Sequence, residues 1–412
     1  MAPSIDELLD TYQDGYALAR PFYTDPDLYT AELDRIWYRD WLFAAVSCEI
    51  SRPGDYVVYE IGTESVIVVR REDGGVSAHH NVCRHRGSII ATESRGRARS
   101  LTCPYHQWSY GLDGSLRRCR AVPDDFDKSA HGLRPVHVRE LDGLVYISLA
   151  DEPVDFDPVR TTLGPMARPQ GLASAKVAHS IDYEIAANWK LVWENNRECF
   201  HCVANHPQYV LANYDRYDEI DLNDRIEREI DEATARSQAK WAACGLTAGV
   251  FAGGGLAQFP SPDGTIWYSA NRTAMVPGYL SESMDGTPVA PLMGSYPDPD
   301  IGVLRLRTLP NFWHHGSCDH SVITRLTPNG PRSTKATVSW LVDADAEPGT
   351  DYDLDRLLPF WQLTSEQDWL ICERQQRGVE SRAYTPGPLS SAKEYNVVNF
   401  HAWYLRALCG GA

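Results

Sequence analysis

The sequence predicts an α+β fold, with an all-β module near the N-terminus and a larger region that mixes helices and extended segments. Asp55 to Arg70 is rich in Val, Ile and Tyr and breaks at Gly62, and the turn Asp73-Gly74-Gly75 follows, as expected for successive strands. Helical periodicity appears over about 185–205 and 353–377, and the extended runs 302–308 and 336–342 lie between them. This order of elements is typical of an α+β chain.

The N-terminal segment reads as two helices. Ser4 and Glu7 form a capping-box pattern for the first helix, and Asp25-Pro26 is typical of the start of the second. Strand signals begin near residue 42 and end with the run Gly143–Leu149. Residues 151–171 contain several prolines and little periodicity, so a linker is expected there.

The composition fits a globular protein and argues against some classes of binding partner. The chain has 412 residues, 43% of them hydrophobic and 23% charged, and a formal net charge of −17. Such an acidic chain is not expected to bind nucleic acid or an acidic membrane surface, and no apolar run reaches the roughly 20 residues of a membrane span. The first residues show no secretory pattern, so we expect a cytoplasmic protein whose ten cysteines are reduced thiols or metal ligands.

Two short segments combine cysteine and histidine at a spacing that indicates a metal site. Cys83-Arg84-His85 is followed, after 17 intervening residues, by Cys103-Pro104-Tyr105-His106. Structural zinc is one interpretation, but zinc sites usually separate paired ligands by two or more residues, and Cys83 and His85 are separated by one. The two segments resemble the loops of a Rieske iron–sulfur domain. The resemblance implies a [2Fe-2S] electron relay in which Cys83 and Cys103 hold one iron and His85 and His106 the other.

Positive charge is concentrated around these loops. From Arg84 to Arg120 there are eight arginines and no lysine against Glu93 and Asp113, a local net charge of +6. The arginines are either an ordinary solvated surface or a docking patch for an acidic electron donor.

The strongest motif of the second half is Glu198-Cys199-Phe200-His201, with His206-Pro207 after it. On a helix, Glu198 and His201 would share a face, whereas His201 and His206 would lie about 140° apart. Because the residue before proline avoids the α region, the helix is expected to end between the histidines and to let His206 turn back. Two histidines and one carboxylate are the donors of non-haem Fe(II) sites, which leave positions open for dioxygen and substrate.

Asp368 is the expected third donor. It lies seven residues after Trp361 and four before Cys372, on the same stripe of the 353–377 helix as these two residues, which are expected to be buried. The alternative is a solvated helix carboxylate.

Taken together, these motifs resemble the large (α) subunit of Rieske non-haem iron oxygenases over nearly the whole chain. The resemblance implies N-terminal helices (1–41) packed on the catalytic domain, a Rieske domain (42–158), and a catalytic domain of antiparallel sheet and helices (159–412). It makes His201, His206 and Asp368 the ligands of a mononuclear Fe(II). Such enzymes are typically homotrimers, and Glu198 would bridge His201 to His106 of the neighbouring subunit; the alternative is an ordinary helix pair.

The run 194–202, with Asn205-His206-Pro207, looks most like the branch that demethylates quaternary ammonium betaines. This resemblance implies O2-dependent N-demethylation of glycine betaine or proline betaine with release of formaldehyde. An NAD(P)H-dependent flavin and iron–sulfur reductase would supply the electrons. The alternatives are the same architecture acting on carnitine, choline or an aromatic ring, and a non-enzymatic electron carrier. A carrier would need only residues 42–150 and would leave His201, His206 and Asp368 without a role.

A quaternary ammonium is best recognised by aromatic faces, with a cation for the carboxylate of a betaine. The candidates in the catalytic half, each with a place in the core as its alternative, are Trp267, Tyr268, Tyr279, Phe312 and Trp313. The adjacent His314 and His315 are expected to be structural, because the iron already has its donors.

Overall fold

A computed structural model describes residues 5–214, 223–247 and 259–410. The chain divides into two units. The smaller unit is Trp37–Phe156, and the larger unit comprises the described parts of Met1–Ile36 and Asp157–Ala412. No helix within the described ranges has both the length and the apolar character needed to cross a bilayer.

The smaller unit is built from antiparallel strands. They are β1 (Leu42–Val46), β2 (Asp55–Ile61), β3 (Glu64–Arg70), β4 (Val76–His80), β5 (Arg95–Arg97), β6 (Leu101–Thr102), β7 (Ser109–Tyr110), β8 (Leu116–Arg118), β9 (Pro135–Leu141) and β10 (Leu144–Ser148). Seven of them form one sheet in the order β1-β10-β9-β4-β3-β2-β5, and β6-β7-β8 form a second sheet. Short 3-10 helices occur at Ser47–Ile50 and Lys128–His131. The predicted break at Gly62 and the turn at 73–75 are confirmed, because β2, β3 and β4 pair successively around them.

One part of the smaller unit's core contains the predicted cluster cysteines. Cys83 and Cys103 are 3% and 1% exposed and pack in a cluster with Ile67, Trp108 and Tyr110. The interior of this unit therefore surrounds both thiols.

A six-stranded antiparallel sheet forms the centre of the larger unit. Its strands are β11 (Ala175–Ile185), β12 (Tyr268–Thr273), β13 (Val303–Thr308), β14 (Phe312–Gly316), β15 (Ser321–Pro328) and β16 (Thr334–Asp343). Their order is β11-β16-β15-β14-β13-β12. The predicted extended runs 302–308 and 336–342 correspond to β13 and β16.

The larger unit also contains helices. They are α1 (Ile5–Leu9), α2 (Pro21–Thr24), α3 (Pro26–Glu32), α4 (Asp157–Ala167), α5 (Trp189–Asn196), α6 (Cys202–Asn205), α7 (Pro207–Ala212), α8 (Asp224–Ala243), α9 (Leu354–Leu357), α10 (Pro359–Val379) and α11 (Tyr395–Leu408). Of these, α4, α5 and α10 pack against strands of the sheet. Shorter turns are the π-helical Leu33–Trp37 and the 3-10 helices Arg168–Gln170 and Leu172–Ser174. Because α5 packs against α10, α11 and β15, the end of α5 lies between the long helices and the sheet.

The structure differs from several expected elements. Residues 151–171 are not an irregular linker, because α4 forms there with Pro165 inside it. Asp25 caps α3 as expected, accepting hydrogen bonds from the N–H groups of Asp27 and Leu28. Ser4 of the first capping box lies outside the described residues, and α1 spans one turn only.

Candidate active site and cluster site

Two loops of matching shape carry the first set of predicted ligands. In the first loop, the N–H of Cys83 donates to the carbonyl five residues later (2.8 Å), and its carbonyl accepts from the N–H four residues later (3.0 Å). Cys103 makes the same two bonds at 2.8 and 3.1 Å. Each loop then takes a left-handed residue, Gly87 at φ 76° and Gln107 at φ 61°. The two loops therefore present their ligands in equivalent ways.

The structure brings the four predicted cluster ligands together. The two thiols are buried, whereas His85 is exposed and its ring centroid lies 4.7 Å from that of His106. His85 also stacks on Trp108, with ring centroids 4.9 Å apart. Two sulfur and two nitrogen donors from one pair of loops fit a [2Fe-2S] cluster with cysteine and histidine ligands.

Hydrogen-bond donors surround the cysteine sulfur atoms. Burial would raise the pKa of Cys103, but the N–H groups of Tyr105 and His106 and the thiol of Cys83 leave it below its ordinary value. The Tyr110 hydroxyl lies 3.3 Å from the sulfur of Cys83. Donors in these positions stabilise thiolate ligands.

In the larger unit, His201, His206 and Asp368 meet at one point. The Oδ1 of Asp368 lies 3.2 Å from the Nε2 of His201 and 2.9 Å from the Nε2 of His206. His206 is 1% exposed, and the site is recessed from the surface. Two imidazole nitrogens and one carboxylate oxygen directed at a common point fit a facial Fe(II) site.

The opposite nitrogen of each imidazole is held by another side chain. The Nδ1 of His201 lies 2.6 Å from the Oε1 of Glu198, and the Nδ1 of His206 lies 2.8 Å from the Oε1 of Gln367. A carboxylate and an amide oxygen only accept, so each Nδ1 carries a proton, and each Nε2, beside Asp368, is the nitrogen that a bound metal would take. Sequence reasoning found Glu198 but missed Gln367, although it directly precedes Asp368.

The helix that was expected to carry both Glu198 and His201, and to end before His206, ends earlier than predicted. The helix α5 ends at Asn196, a turn follows, and the short helix α6 begins only after His201. Glu198 therefore reaches His201 across a turn rather than along a helix face. The prediction for His206 is confirmed: it has φ −125° and ψ 65°, and Pro207 starts α7 immediately after it.

Cys199 and Cys202 form a disulfide that encloses His201. The expectation that all ten cysteines are thiols or metal ligands is therefore wrong for these two. Their spacing of three residues across the turn brings the two sulfur atoms together. The disulfide ties together the two sides of the turn that presents His201.

Charge at the site favours a cation. Burial would lower the pKa of His201, but its hydrogen bonds to Asp368 and Glu198 raise it to about 10. Burial would raise the pKa of Asp368, but the two histidines hold it below its ordinary value. Without a metal, these carboxylates hold a proton on His201, and a divalent cation at the site would replace that proton.

A cleft opens beside His201, His206 and Asp368. Besides the ligands and the 198–202 turn, residues that line it include Asn195, Tyr209, Arg307, His315, Trp361 and Thr364. None of the five aromatic candidates from the sequence is among its lining residues. The stripe that predicted Asp368 also contains Trp361 and Thr364, so this periodicity was the available signal for two lining residues.

Two family models match the chain in succession. A Rieske [2Fe-2S] domain matches residues 40–131, and the ring hydroxylating alpha subunit (catalytic domain) matches residues 172–410. The chain belongs to the Rieske ring-hydroxylating alpha-subunit family. It is a Rieske non-haem iron monooxygenase with a [2Fe-2S] cluster and a mononuclear iron, and the predicted fold class and cofactors are confirmed.

Relatives of this Rieske oxygenase match along most of its length. It is 40% identical over 400 residues to the glycine betaine monooxygenase oxygenase subunit of Chromohalobacter salexigens, covering 97% of this chain and 87% of the relative. Identity to the subunit of the same name from Pseudomonas aeruginosa is 36% over 403 residues, covering 97% and 90%. Among solved structures, the quaternary ammonium Rieske monooxygenase CntA aligns with a TM-score of 0.70 and 19% identity over 99% of both chains. That last likeness establishes the fold.

Proposed function

We propose that this Rieske oxygenase N-demethylates a quaternary ammonium betaine, glycine betaine or proline betaine, and releases formaldehyde. The observation that carries the proposal is the cleft that leads from His201, His206 and Asp368 to the aromatic side chains of Trp361 and Tyr209. A quaternary ammonium has no N–H to donate, so aromatic faces recognise it, each contributing about 0.5–2 kcal/mol. The names of the relatives that are 36–40% identical support the same substrate class.

The polar atoms of these two aromatic side chains are already engaged. The indole N–H of Trp361 donates to the Oε2 of Glu282 (3.1 Å), and the hydroxyl of Tyr209 accepts from Arg305 (3.0 Å). Glu282 is buried, and His315 holds its pKa below the ordinary value against the effect of burial. An ionised carboxylate behind the indole adds attraction for a positively charged substrate.

In this proposal the protein's own side chains position the substrate for the reaction. When bound, the cluster supplies single electrons and the mononuclear iron activates dioxygen. Glu198 and Gln367 hold the Nδ1 protons of the two histidines, and the cleft walls hold an N-methyl group of the substrate toward the ligands. Hydroxylation of that methyl gives a hydroxymethyl ammonium, whose C–N bond breaks with its electron pair going to nitrogen. Formaldehyde leaves with one oxygen atom, a proton is released, and the other oxygen becomes water using two electrons and two protons.

We assign residues 42–158 to the Rieske domain, residues 159–412 to the catalytic domain, and residues 1–41 to helices that pack on the latter. We further infer a homotrimer in which Glu198 hydrogen-bonds His106 of the neighbouring protomer. The exposure of His85 supports this inference, because the imidazole side of the cluster then faces outward while its thiols stay buried.

The electron donor in this proposal is an NAD(P)H-dependent flavin and iron–sulfur reductase that docks on the arginines near the cluster, in the cytoplasm. All eight arginines are exposed. In the described parts of the chain, ion pairs engage Arg95, Arg97 and Arg117. The remaining five, Arg84, Arg86, Arg99, Arg118 and Arg120, keep their charge available for an acidic partner.

The substrate class is tested by incubating the enzyme with such a reductase, NADH and a panel of methylated compounds, followed by formaldehyde assay. The panel is glycine betaine, proline betaine, carnitine, choline and an aromatic methyl ether. Formaldehyde from a betaine is the expected result. Formaldehyde from the ether, with none from any betaine, would contradict the proposal.

The iron site is tested by comparing Asp368→Ala with Glu366→Ala, which changes an exposed carboxylate on the same helix. The wild type and Glu366→Ala should contain iron in excess of acid-labile sulfide, by one atom for every two sulfides. Asp368→Ala should lose that excess and all formaldehyde production while keeping the cluster's visible spectrum. Retention of the excess iron in Asp368→Ala would remove Asp368 from the ligand set.

A further inference from the structure

A buried arginine lies on the sheet side of the cleft. Arg305 and Arg307 are 1% and 3% exposed, and as residues two apart on β13 they point to the same face of the sheet. Arg307 pairs with Ser269 on β12 and with Trp313 on β14. It lines the same cleft as the iron ligands and Trp361, so the cleft has a cation as well as an aromatic surface.

Two further donors accompany Arg307. The Nη1 of Arg307 donates to the Oδ1 of Asn271 (2.9 Å), which fixes the amide beside the guanidinium. The Nδ2 of Asn271 and the hydroxyl of Ser269 are buried, and neither has a hydrogen-bond partner among the described residues. Buried donors are normally satisfied, so this pair indicates an acceptor that the described residues do not provide.

Arg197 adds a third buried guanidinium close enough to interact with Arg305 and Arg307. Arg197 is 1% exposed, and burial together with the charges of Arg307 and Arg305 holds its pKa well below the ordinary value. The Nε of Arg197 also has no hydrogen-bond partner among the described residues. Cations gathered in the interior favour a bound anion, and a carboxylate is the anion that matches the fork of an arginine.

We propose that Arg307, with the Asn271 amide and the Ser269 hydroxyl, binds the carboxylate of the substrate and selects quaternary ammonium carboxylates over quaternary ammonium alcohols. This assignment rests on the proposed N-demethylation and defines how the substrate is oriented in the cleft. With the carboxylate on β12 and β13 and the ammonium against Trp361, an N-methyl group is directed toward His201, His206 and Asp368.

The test compares ligand binding in Arg307→Met and Arg272→Met by calorimetry, without oxygen and with the cluster oxidised. Arg272 is also buried, but it lies on the opposite face of the same sheet and donates to the carbonyl of Ile301 and the hydroxyl of Tyr296. The ligands are glycine betaine, its methyl ester and choline. Arg307→Met should weaken glycine betaine binding by about tenfold to a hundredfold, and it should abolish the preference for glycine betaine over its ester. Arg272→Met should keep the wild-type preference.

An equal loss of affinity for all three ligands in Arg307→Met would show a merely structural role and overturn the assignment, as would unchanged glycine betaine binding. Asn271→Asp provides a second variant if Arg307→Met does not fold, because its new carboxylate would compete for the guanidinium and should weaken glycine betaine selectively. If the wild type releases formaldehyde from glycine betaine but no variant changes the preference, the carboxylate subsite alone is wrong. If the wild type neither binds nor demethylates any betaine, the proposed function and the subsite are both wrong.

Discussion

Glu198 has two structural tasks at the residue scale. Its Oε1 accepts a hydrogen bond from the Nδ1–H of His201. Its Oε2 accepts hydrogen bonds from the backbone N–H groups of Phe200 and His201. The first contact fixes the tautomer of a proposed metal ligand, and the second shapes the turn that carries it. A change that keeps the shape but removes the charge separates these two tasks.

Glu198→Gln should therefore keep both iron centres and lose coupling between them. The amide still offers an acceptor oxygen to the turn, but it replaces the anionic contact proposed between the two centres. We expect metal content and dithionite reduction of the cluster to match the wild type, while product formed in a single turnover falls by about tenfold to a hundredfold. Glu366→Gln is the control, and wild-type single-turnover rates in Glu198→Gln would contradict the bridge.

Asp40 gives the smaller unit a pH-dependent stability. Burial raises the pKa of Asp40 to about 7, above the unfolded value near 4. Between these two values the folded state binds more protons than the unfolded state, so the contribution of Asp40 to stability falls as pH rises from about 4 to about 7. Asp40→Asn should accordingly raise the melting temperature at pH 8 by more than at pH 4.5. The exposed Asp151→Asn is the control, and an identical shift at both pH values would exclude this linkage.

The sequence identified the site residues whose types and spacing are typical of metal ligands. His201, His206 and Asp368 were identified by a proline-interrupted motif and by helical periodicity. Gln367, Asn271 and Arg307 were not, because amides and arginines are ordinary in any chain. Asn271 and Arg307 became informative only when pairing between β12 and β13 placed them beside the cleft. Gln367 became informative only through its contact with the Nδ1 of His206.

At the scale of elements, a buried ion pair links the N-terminal helices to the helix before the iron ligands. Lys190 on α5 donates to Glu32 on α3, and both are at most 1% exposed. Glu32 also accepts from the indole of Trp189 (2.8 Å) and the hydroxyl of Tyr404 (2.6 Å). The Glu32 carboxylate on α3 thus accepts from donors on both α5 and α11.

Lys190→Met should lower the free energy of unfolding of the larger unit by about 3–5 kcal/mol, because it leaves the buried Glu32 carboxylate without its cation. Adding Glu32→Gln should recover part of that loss. Lys335→Met removes the exposed pair with Asp182 and should cost no more than about 1 kcal/mol. Denaturant unfolding measures all three; a double variant no more stable than Lys190→Met would refute the explanation.

The strands were easier to predict than the helix boundaries. The alternation and turn residues of β2 to β4 are local signals, whereas the end of α5 depends on the turn, the disulfide and the packing around His201. The helix α4 was missed because Pro165 and nearby prolines suggested irregular chain, although Val159, Leu163 and Met166 give it a buried face. Tertiary packing outweighed the local signal there.

For the whole molecule, charge is separated along the chain. A formal net charge of −17 coexists with the exposed arginines around the cluster loops. An acidic electron donor would be drawn to that surface and repelled elsewhere.

Reduction of the cluster by its reductase should therefore slow steeply as salt rises from about 50 to 500 mM, where screening shortens the reach of surface charge. Reduction by dithionite should change far less, because it needs no docked protein. Replacing Arg118 and Arg120 with Gln should lower the reductase rate at low salt and flatten its salt dependence. Stopped-flow absorbance of the cluster measures all of these rates, and equal salt sensitivity for both reductants would dismiss the docking surface.

The bond between Cys199 and Cys202 has a practical consequence for purification. Dithiothreitol, a common protectant for oxygen-sensitive proteins, would reduce this disulfide and loosen the turn that carries His201, a proposed iron ligand. Batches prepared with the additive should lose mononuclear iron during dialysis faster than batches prepared without it, while their sulfide content stays equal. Low activity after purification in this reductant would then reflect loss of mononuclear iron rather than loss of the cluster.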